Sequence, residues 1–370
     1  MRVVRFDQIA RECRETFKGS FEGKPIVGLE HIEPYDMLLK NYDVDVETTF
    51  TKSFRKGQIL FGRRRAYQHK ACVATIDGIC SGDITVIEPI EGVIYPDLLP
   101  FIIQNDDFFE HAIKGSNGAL SPRVKWEHMA NFEINLPNID EQKVLAEKLW
   151  AAYEVKQSYL KMIEATDEMV KAQFVEMFGT IDEPKVEVKK LIDVVLSSGQ
   201  YGSNTSATDY QEGKPRYIRI TDINDDGSLN DDIKTAEVIE DKYRLIPGDI
   251  VFARTGATVG KTYMHETGNA IYAGYLIKYQ MNESKMKPAF MKAFTHSKTY
   301  YNWVANSQKV GAQPNISAAQ YDNMPVLVPQ IEKQEEFLAI YHQADKSEFE
   351  LRKSIDAIDK VIKSLINENL

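Results

Sequence analysis

The stretch richest in side chains that could do chemistry is Arg55–Lys70, RKGQILFGRRRAYQHK, with six bases and no acid in sixteen residues. The chain as a whole is acidic, at net charge −10. Three consecutive arginines after a glycine suit a polyanion, because guanidinium forks match phosphate oxygens and the paired acceptors of guanine. Arg63, Arg64, Arg65 and Lys70 are therefore candidate DNA contacts, and Tyr67 could stack or donate a hydrogen bond. The bland alternative is a solvated basic loop paired with acidic surface elsewhere in the chain.

A second Gly-rich stretch, FARTGATVGKT at 252–262, resembles a phosphate loop but fails its spacing. Only three residues separate Gly256 from Gly260, where G-x-x-x-x-G-K-[ST] needs four, and Thr262 onward reads as a strand rather than a helix. A hairpin offering Arg254, Thr255, Lys261 and backbone N–H groups to a nucleic-acid backbone or groove fits better. The small polar loop SSGQYGSNTS at 197–206 adds Tyr201, Ser203 and Asn204, and the strand that follows it carries Arg219. An ordinary surface loop is the alternative there.

No catalytic or metal-binding set emerges. There is no Asn-Pro-Pro-aromatic motif, no Gly-rich cofactor loop after a strand and no Gly-x-Ser-x-Gly elbow. The seven histidines lack metal spacing, and Asp225-Asp226 and Asp231-Asp232 lie in turn-forming sequence. Cys13, Cys72 and Cys80 show no CxxC pairing, which suits a reducing compartment. No apolar run approaches the ~20 residues of a membrane span, and the first residues lack a signal-peptide core. A cytoplasmic location is expected.

Two elements must position these loops. Asp140–Phe178 holds neither Pro nor Gly, and Leu145, Leu149, Ala152, Tyr159, Ile163, Thr166, Val170, Phe174 and Met177 recur on one helical stripe, interrupted by Lys156. At ~1.5 Å per residue this is a rod of roughly 58 Å, and Gly179 follows as its expected cap. Glu332–Leu370 repeats the design through Leu338, Tyr341, Leu351, Ile355, Ile358, Ile362 and Leu365. Each stripe is the natural partner of the other in an antiparallel coiled coil. The two helices are acidic, which leaves the remainder of the chain close to balanced and its basic patches free to dominate locally.

The halves also match each other. LPNIDEQ at 136–142 pairs with VPQIEKQ at 328–334, and GQILFGR at 57–63 with GDIVFAR at 248–254, at nearly constant offset. A tandem duplication of domain plus helix follows. Strands are expected at Gln58–Phe61, Ala71–Ile76 and Ile84–Glu88 and a helix at Tyr95–His111. The second domain is expected to have strands at Arg216–Ile220, Asp249–Ala253, Lys261–Met264 and Ala270–Gln280, and a helix at Pro288–Asn306.

The combination resembles the specificity (S) subunit of a Type I restriction–modification enzyme. The residues that carry the resemblance are GQILFGRRRAY at 57–67, DGICSG at 77–82, Val124-Lys125-Trp126, and Leu136-Pro137 with Glu141-Gln142. In the second half they are GDIVFARTGATVGK at 248–261 and GAQPNI at 311–316. The resemblance spans essentially the whole chain. It implies an α+β fold of two target-recognition domains, at 1–138 and 180–328. Two helices at 139–179 and 329–370 separate them as an antiparallel coiled coil, with internal pseudo-twofold symmetry. It further implies a non-catalytic subunit that reads a bipartite, asymmetric double-stranded DNA target in host defence, the helices setting the unread spacer. Methylation (M) subunits, two in number, and restriction (R) subunits would be its partners. S-adenosylmethionine, ATP and Mg would belong to those partners and no cofactor to this chain. The second half departs from the first in lacking an arginine triplet, so the two domains are expected to read different bases. A coiled-coil adaptor binding only proteins is the rival reading.

Overall fold

The computed structural model describes residues 2–118, 120–308 and 314–370. The chain divides into two compact units. One comprises Met1–Leu160 with Leu351–Leu370, and the other Lys161–Glu350. The division falls within both long helices rather than at their ends.

The two units share one architecture. In the first, strands Ala10–Cys13, Ile84–Pro89, Ile59–Gly62 and Ala71–Val73 lie side by side in an antiparallel sheet. In the second, Gln200–Tyr201, Leu276–Gln280, Asp249–Ala253 and Thr262–Met264 take the same places. The registers coincide across the repeat, since Phe61 faces Thr85 as Phe252 faces Ile277. Side chains alternate along each central strand. Ile59 and Phe61 point into the core formed with Phe108 and Phe109 of the helix Asp106–Lys114, while Leu60 joins Val27, Phe54 and Cys80 on the opposite face. Ile250 and Phe252 likewise meet Phe290, Phe294 and Tyr300, and Val251 meets Ile218 and Tyr272. Each unit is thus a three-layer stack of helices, sheet and second sheet. Cys13, Cys72 and Cys80 are free and buried between or behind these sheets, and burial pushes the thiols of Cys13 and Cys80 up to about 12.

The second sheets differ. Both are built on a parallel pair, Pro25–Val27 with Gly78–Cys80 in one unit and Arg216–Ile218 with Ala270–Tyr272 in the other. In the first unit Lys52–Phe54 pairs with Gly78–Cys80 and Asp43–Val44 with Pro25–Val27. In the second, both added strands, Lys234–Ala236 and Ala207–Asp209, lie on the Arg216–Ile218 side.

Three sequence expectations change in detail. The helix expected over Tyr95–His111 is a 3-10 turn at Pro96–Leu98 followed by helices Leu99–Ile103 and Asp106–Lys114, and Pro288–Asn306 is Pro288–Thr295 plus Lys298–Ser307. Asn105 and Ser297 accept backbone N–H groups as side-chain caps and restart the helix in each unit. The strand expected over Ala270–Gln280 is two strands, because Ala270–Tyr272 and Leu276–Gln280 belong to different sheets and Ala273–Tyr275 crosses between them. Gly311, Ala312 and Gln313, part of the stretch carrying the resemblance, lie outside the described residues.

The long helices run over Ile139–Phe178 and Ile331–Asn369. Gly179 ends the first with φ 77°, as the cap position requires. In the first unit the start of one helix packs with the end of the other. Leu145, Leu149 and Tyr153 share a core with Ile366, and Lys156 pairs with Asp359 at 2.6 Å. In the second unit Phe174 and Phe178 meet Phe337, with the Phe174 and Phe337 rings 5.3 Å apart. Start with end in one unit and end with start in the other is the antiparallel pairing the stripes called for. The polar break at Lys156 is thereby explained by its ion pair.

Candidate nucleic-acid interface

In the first unit the basic loop joins strands Ile59–Gly62 and Ala71–Val73, whose hydrophobic alternation anchors it on both sides. Its path is fixed by a clip to the segment before Trp126. Val124 donates its N–H to the Arg63 carbonyl at 3.0 Å, and Arg65 donates to the Pro122 carbonyl at 2.8 Å. The 3-10 turn Ala66–Gln68 is flanked by two residues in the left-handed region, Arg65 at φ 56° and His69 at φ 51°.

The three arginines have different fates. Arg64 donates to the Ser121 hydroxyl at 2.7 Å and lies 3.5 Å from the Asp83 carboxylate. Arg123 grips both oxygens of Asp83, at 2.7 and 3.2 Å. The hydrogen bond from Arg123, with the charges of Arg64 and Arg63 behind it, holds the Asp83 carboxyl below its usual range. Arg63 and Arg65 make no ion pair among the described residues, and the Nε of each is buried without a hydrogen-bond partner. Arg63 lines an open cleft with Arg14, Lys52, Glu12, Glu15 and Asp83. Tyr67 is exposed, at 53%. Lys70 is used internally, donating to the Leu29 carbonyl at 2.7 Å, so it braces the loop rather than presenting a free charge.

The second unit repeats the clip. Ile316 donates to the Arg254 carbonyl at 2.8 Å and Gly256 to the Pro314 carbonyl at 3.0 Å. The Arg254 guanidinium lies over the Tyr201 ring at 4.8 Å, and the Tyr201 hydroxyl accepts from the Ala318 N–H at 3.0 Å. Arg254 thus has a rigid platform, with its Nε buried and, like that of Arg63, without a hydrogen-bond partner among the described residues. Thr255 is close by, its hydroxyl 3.3 Å from the Pro314 carbonyl. Gly256 opens a 3-10 turn, Gly256–Thr258, and the strand Thr262–Met264 comes next, so the near-match to a phosphate loop lacks the helix such a loop serves.

The remaining candidates are tied elsewhere. Lys261 reaches Asp225 at 2.9 Å. Arg219 is clamped by the buried Asp222 at 2.5 Å and by Asp232 at 2.9 Å. Both cations are matched by carboxylates of the 222–232 loop. Ser203, expected as a surface contact, is buried at 2%, its N–H given to the Tyr272 carbonyl at 2.9 Å. Its neighbour Asn204 is exposed and its side chain occupies the space where a Cβ on Gly274 would be. The structure therefore joins Tyr201, Arg254 and Thr255 in one place, while Arg219 and Lys261, the latter from the same hairpin as Arg254, are both tied to the 222–232 loop. Sequence reasoning missed Ser121, Arg123 and Asp83, the scaffold of the first loop. The repeat offset could have found the clip, because Pro122 and Pro314 match at the same offset of 192 that relates Leu136 to Val328.

Among the described residues no group of three or more metal-ligating side chains occurs, and no helix is long and apolar enough to cross a membrane. Comparison with known proteins bears on the whole arrangement. A curated relative, the Type I restriction enzyme EcoDI specificity subunit of Escherichia coli, is 24% identical over 151 residues, 40% of this chain. That alignment spans 33% of the relative's length. Two solved structures share the fold. One is the Type I restriction–modification S subunit of M. genitalium, with TM-score 0.58 and 14% identity, over 99% of this chain and 94% of that one. The other is a chain from work on complex assembly and conformational transition of the type I R-M system, with TM-score 0.57 and 16% identity, over 100% of this chain and 97% of that one. The Type I restriction modification DNA specificity domain matches residues 14–162 and again 183–359, and with both halves so accounted for the chain belongs to the family of Type I restriction–modification specificity subunits.

Proposed function

We propose that the chain reads a bipartite, asymmetric double-stranded DNA target, one half through each unit, and directs partner methylation and restriction subunits to it without catalysing a step itself. The observation that carries this reading is the duplicated clip. Two loops of the same backbone path each present an arginine with no ion pair among the described residues, Arg63 and Arg254, but differ in the side chains that follow, Arg64-Arg65 against Thr255-Gly256. Equal scaffolds with unequal side chains suit two different half-sites.

Two M subunits and the R subunits would supply S-adenosylmethionine, ATP and Mg chemistry in the cytoplasm. Met162, Met169 and Phe349 of the long helices are exposed at 52%, 51% and 65%, which supplies apolar surface for such partners. The test is sequencing of methylated sites in cells carrying the chain with its partner methyltransferase. A split motif with two unlike halves is expected. Methylation without sequence preference, or assembly with partners but no salt-dependent binding to duplex DNA, would favour the protein-only adaptor instead.

A further inference from the structure

The two clipped loops differ at the positions where the backbone is most constrained. Both left-handed positions of the first loop, Arg65 and His69, are glycines in the second, Gly256 at φ 71° and Gly260 at φ 88°. The conformation therefore asks for glycine, and the second unit supplies it. The first unit instead keeps two large side chains in a region that L-residues rarely adopt, and each calls for a reason.

His69 has one inside the fold. Its ring stacks on Tyr35 at 4.7 Å and meets Phe109 at 4.5 Å, so it fills a slot between the loop and the helix behind it. Arg65 has none. It makes no ion pair among the described residues, and its Nε is buried and unpartnered. At Gly256 a Cβ would meet nothing within 4 Å, so the site in the second unit has room for a side chain that is not there.

We infer that Arg65 is a base-reading residue of the first unit, placing its guanidinium fork on the paired acceptors of a guanine in the major groove of the first half-site. The inference rests on the proposed DNA-reading role. Its direction follows from the repeat. The phosphate backbone is the same under both units, so contacts to it can be common to both, as Arg63 and Arg254 are. Sequence differs between half-sites, so discrimination must come from residues the units do not share. Arg65 is such a residue, it is cationic and forked, and a fork prefers the O6 and N7 pair of guanine over other base edges.

The second unit also supplies the test variant, Arg65→Gly, which gives the first loop the residue its twin already uses. Duplexes with a randomised core are selected with the wild-type and variant full chains, each assembled with its methyltransferase partner, and thermal melting is recorded in parallel. The variant is expected to melt at the same or a higher temperature. It should lose one guanine preference in one half of the selected motif and bind the wild-type site about 5- to 150-fold more weakly. Arg65→Lys, which keeps the charge and removes the fork, should lose the same preference. An unchanged motif at unchanged affinity would overturn the inference while leaving the bipartite reading intact. So would a fall in affinity that is uniform across sequences with a salt slope lower by about one, because that marks a phosphate contact. A lower melting temperature with the motif retained would give Arg65 a packing role and overturn it too. A wild-type chain that selects no motif would bring down the proposed function itself.

Discussion

Gln142 donates its side-chain amide to the carbonyl of Pro137 at 2.9 Å, just where the first long helix leaves its domain. Its amide oxygen accepts the Tyr95 N–H at 2.8 Å. Gln334 makes the same bond to Pro329 at 2.9 Å, accepts from Lys287 at 2.9 Å and adds a bond to the Lys285 carbonyl at 2.9 Å. Both glutamines are buried, at 2% and 0%. The proline–glutamine pattern that marked the repeat in the sequence is therefore a lock between helix and domain.

Removing a lock leaves buried backbone groups unpaired. Gln142→Ala should cost about 2–6 kcal/mol, at ~1–3 kcal/mol for each of the two orphaned groups. Gln334→Ala should cost more, since three groups rather than two lose a partner. Urea unfolding checks the order, with Trp126 and Trp150 reporting the first unit and Trp303 the second. Equal or negligible shifts in midpoint would remove the glutamines from the joint.

The two glycines of the second loop should not be equivalent. A Cβ at Gly256 meets open space, so Gly256→Ala should cost only its backbone strain, about 1 kcal/mol. A Cβ at Gly260 would lie 2.7 Å from Cγ1 of the buried Val304. Gly260→Ala adds that clash to the strain and should cost about 2–4 kcal/mol in all. Thermal melting of both variants decides, and a Gly260 variant as stable as the Gly256 variant would contradict the packing.

Acid should loosen the first loop before it harms the second. Asp83, held down chiefly by its hydrogen bond from Arg123, has a folded value below the ordinary 3.8. Because the folded value is the lower one, the stability it contributes is fully present above about pH 4 and is lost as pH falls through the depressed value. Asp83→Asn should flatten that part of the stability–pH curve and raise amide exchange at Arg63, whose N–H is given to the Asp83 carbonyl. A variant with the wild-type acid profile would show that the Arg123–Asp83 pair does not hold the loop.

Arg254→Ala should weaken binding evenly across sequences, because Arg254 stands at the position that the second unit shares with Arg63 of the first. Losing a phosphate contact should lower the salt slope of binding by about one, and losing a base contact should cost about 1–3 kcal/mol. Lys261→Ala should change binding less, because Lys261 is already paired with Asp225. Methylation patterns in which the Arg254 variant loses a base preference would show that a position common to both units also reads sequence.

The long helices, their pairing and the duplication could be read from stripes and offsets, because period and repeat survive in a single sequence. What escaped was non-local. Strands such as Arg2–Arg5 and Lys52–Phe54 are short and polar, and only their partners Glu133–Leu136 and Gly78–Cys80 make them strands. The crossing at Ala273–Tyr275 was hidden inside a run of good strand formers, although Ser81-Gly82 marks the matching place in the first half. At the candidate site, residue type located the arginines, but which were free was decided by Asp83, Ser121 and Arg123, residues from 20 to 60 positions away.

The first unit is completed by Leu351–Leu370, where Ile366 enters its core and the Leu370 carbonyl accepts the Asn135 N–H at 3.0 Å. On the ribosome those residues follow only after the whole second unit, roughly 190 residues later, a wait of about 10–40 s at ordinary elongation rates. The domain made first is finished last. Until then the apolar groove along Leu145 and Leu149 stays open, so a transcript cut short before residue 351 yields a nascent chain with a sticky, incomplete head and a finished tail. Such chains should be substrates for chaperones and proteases rather than half-working readers.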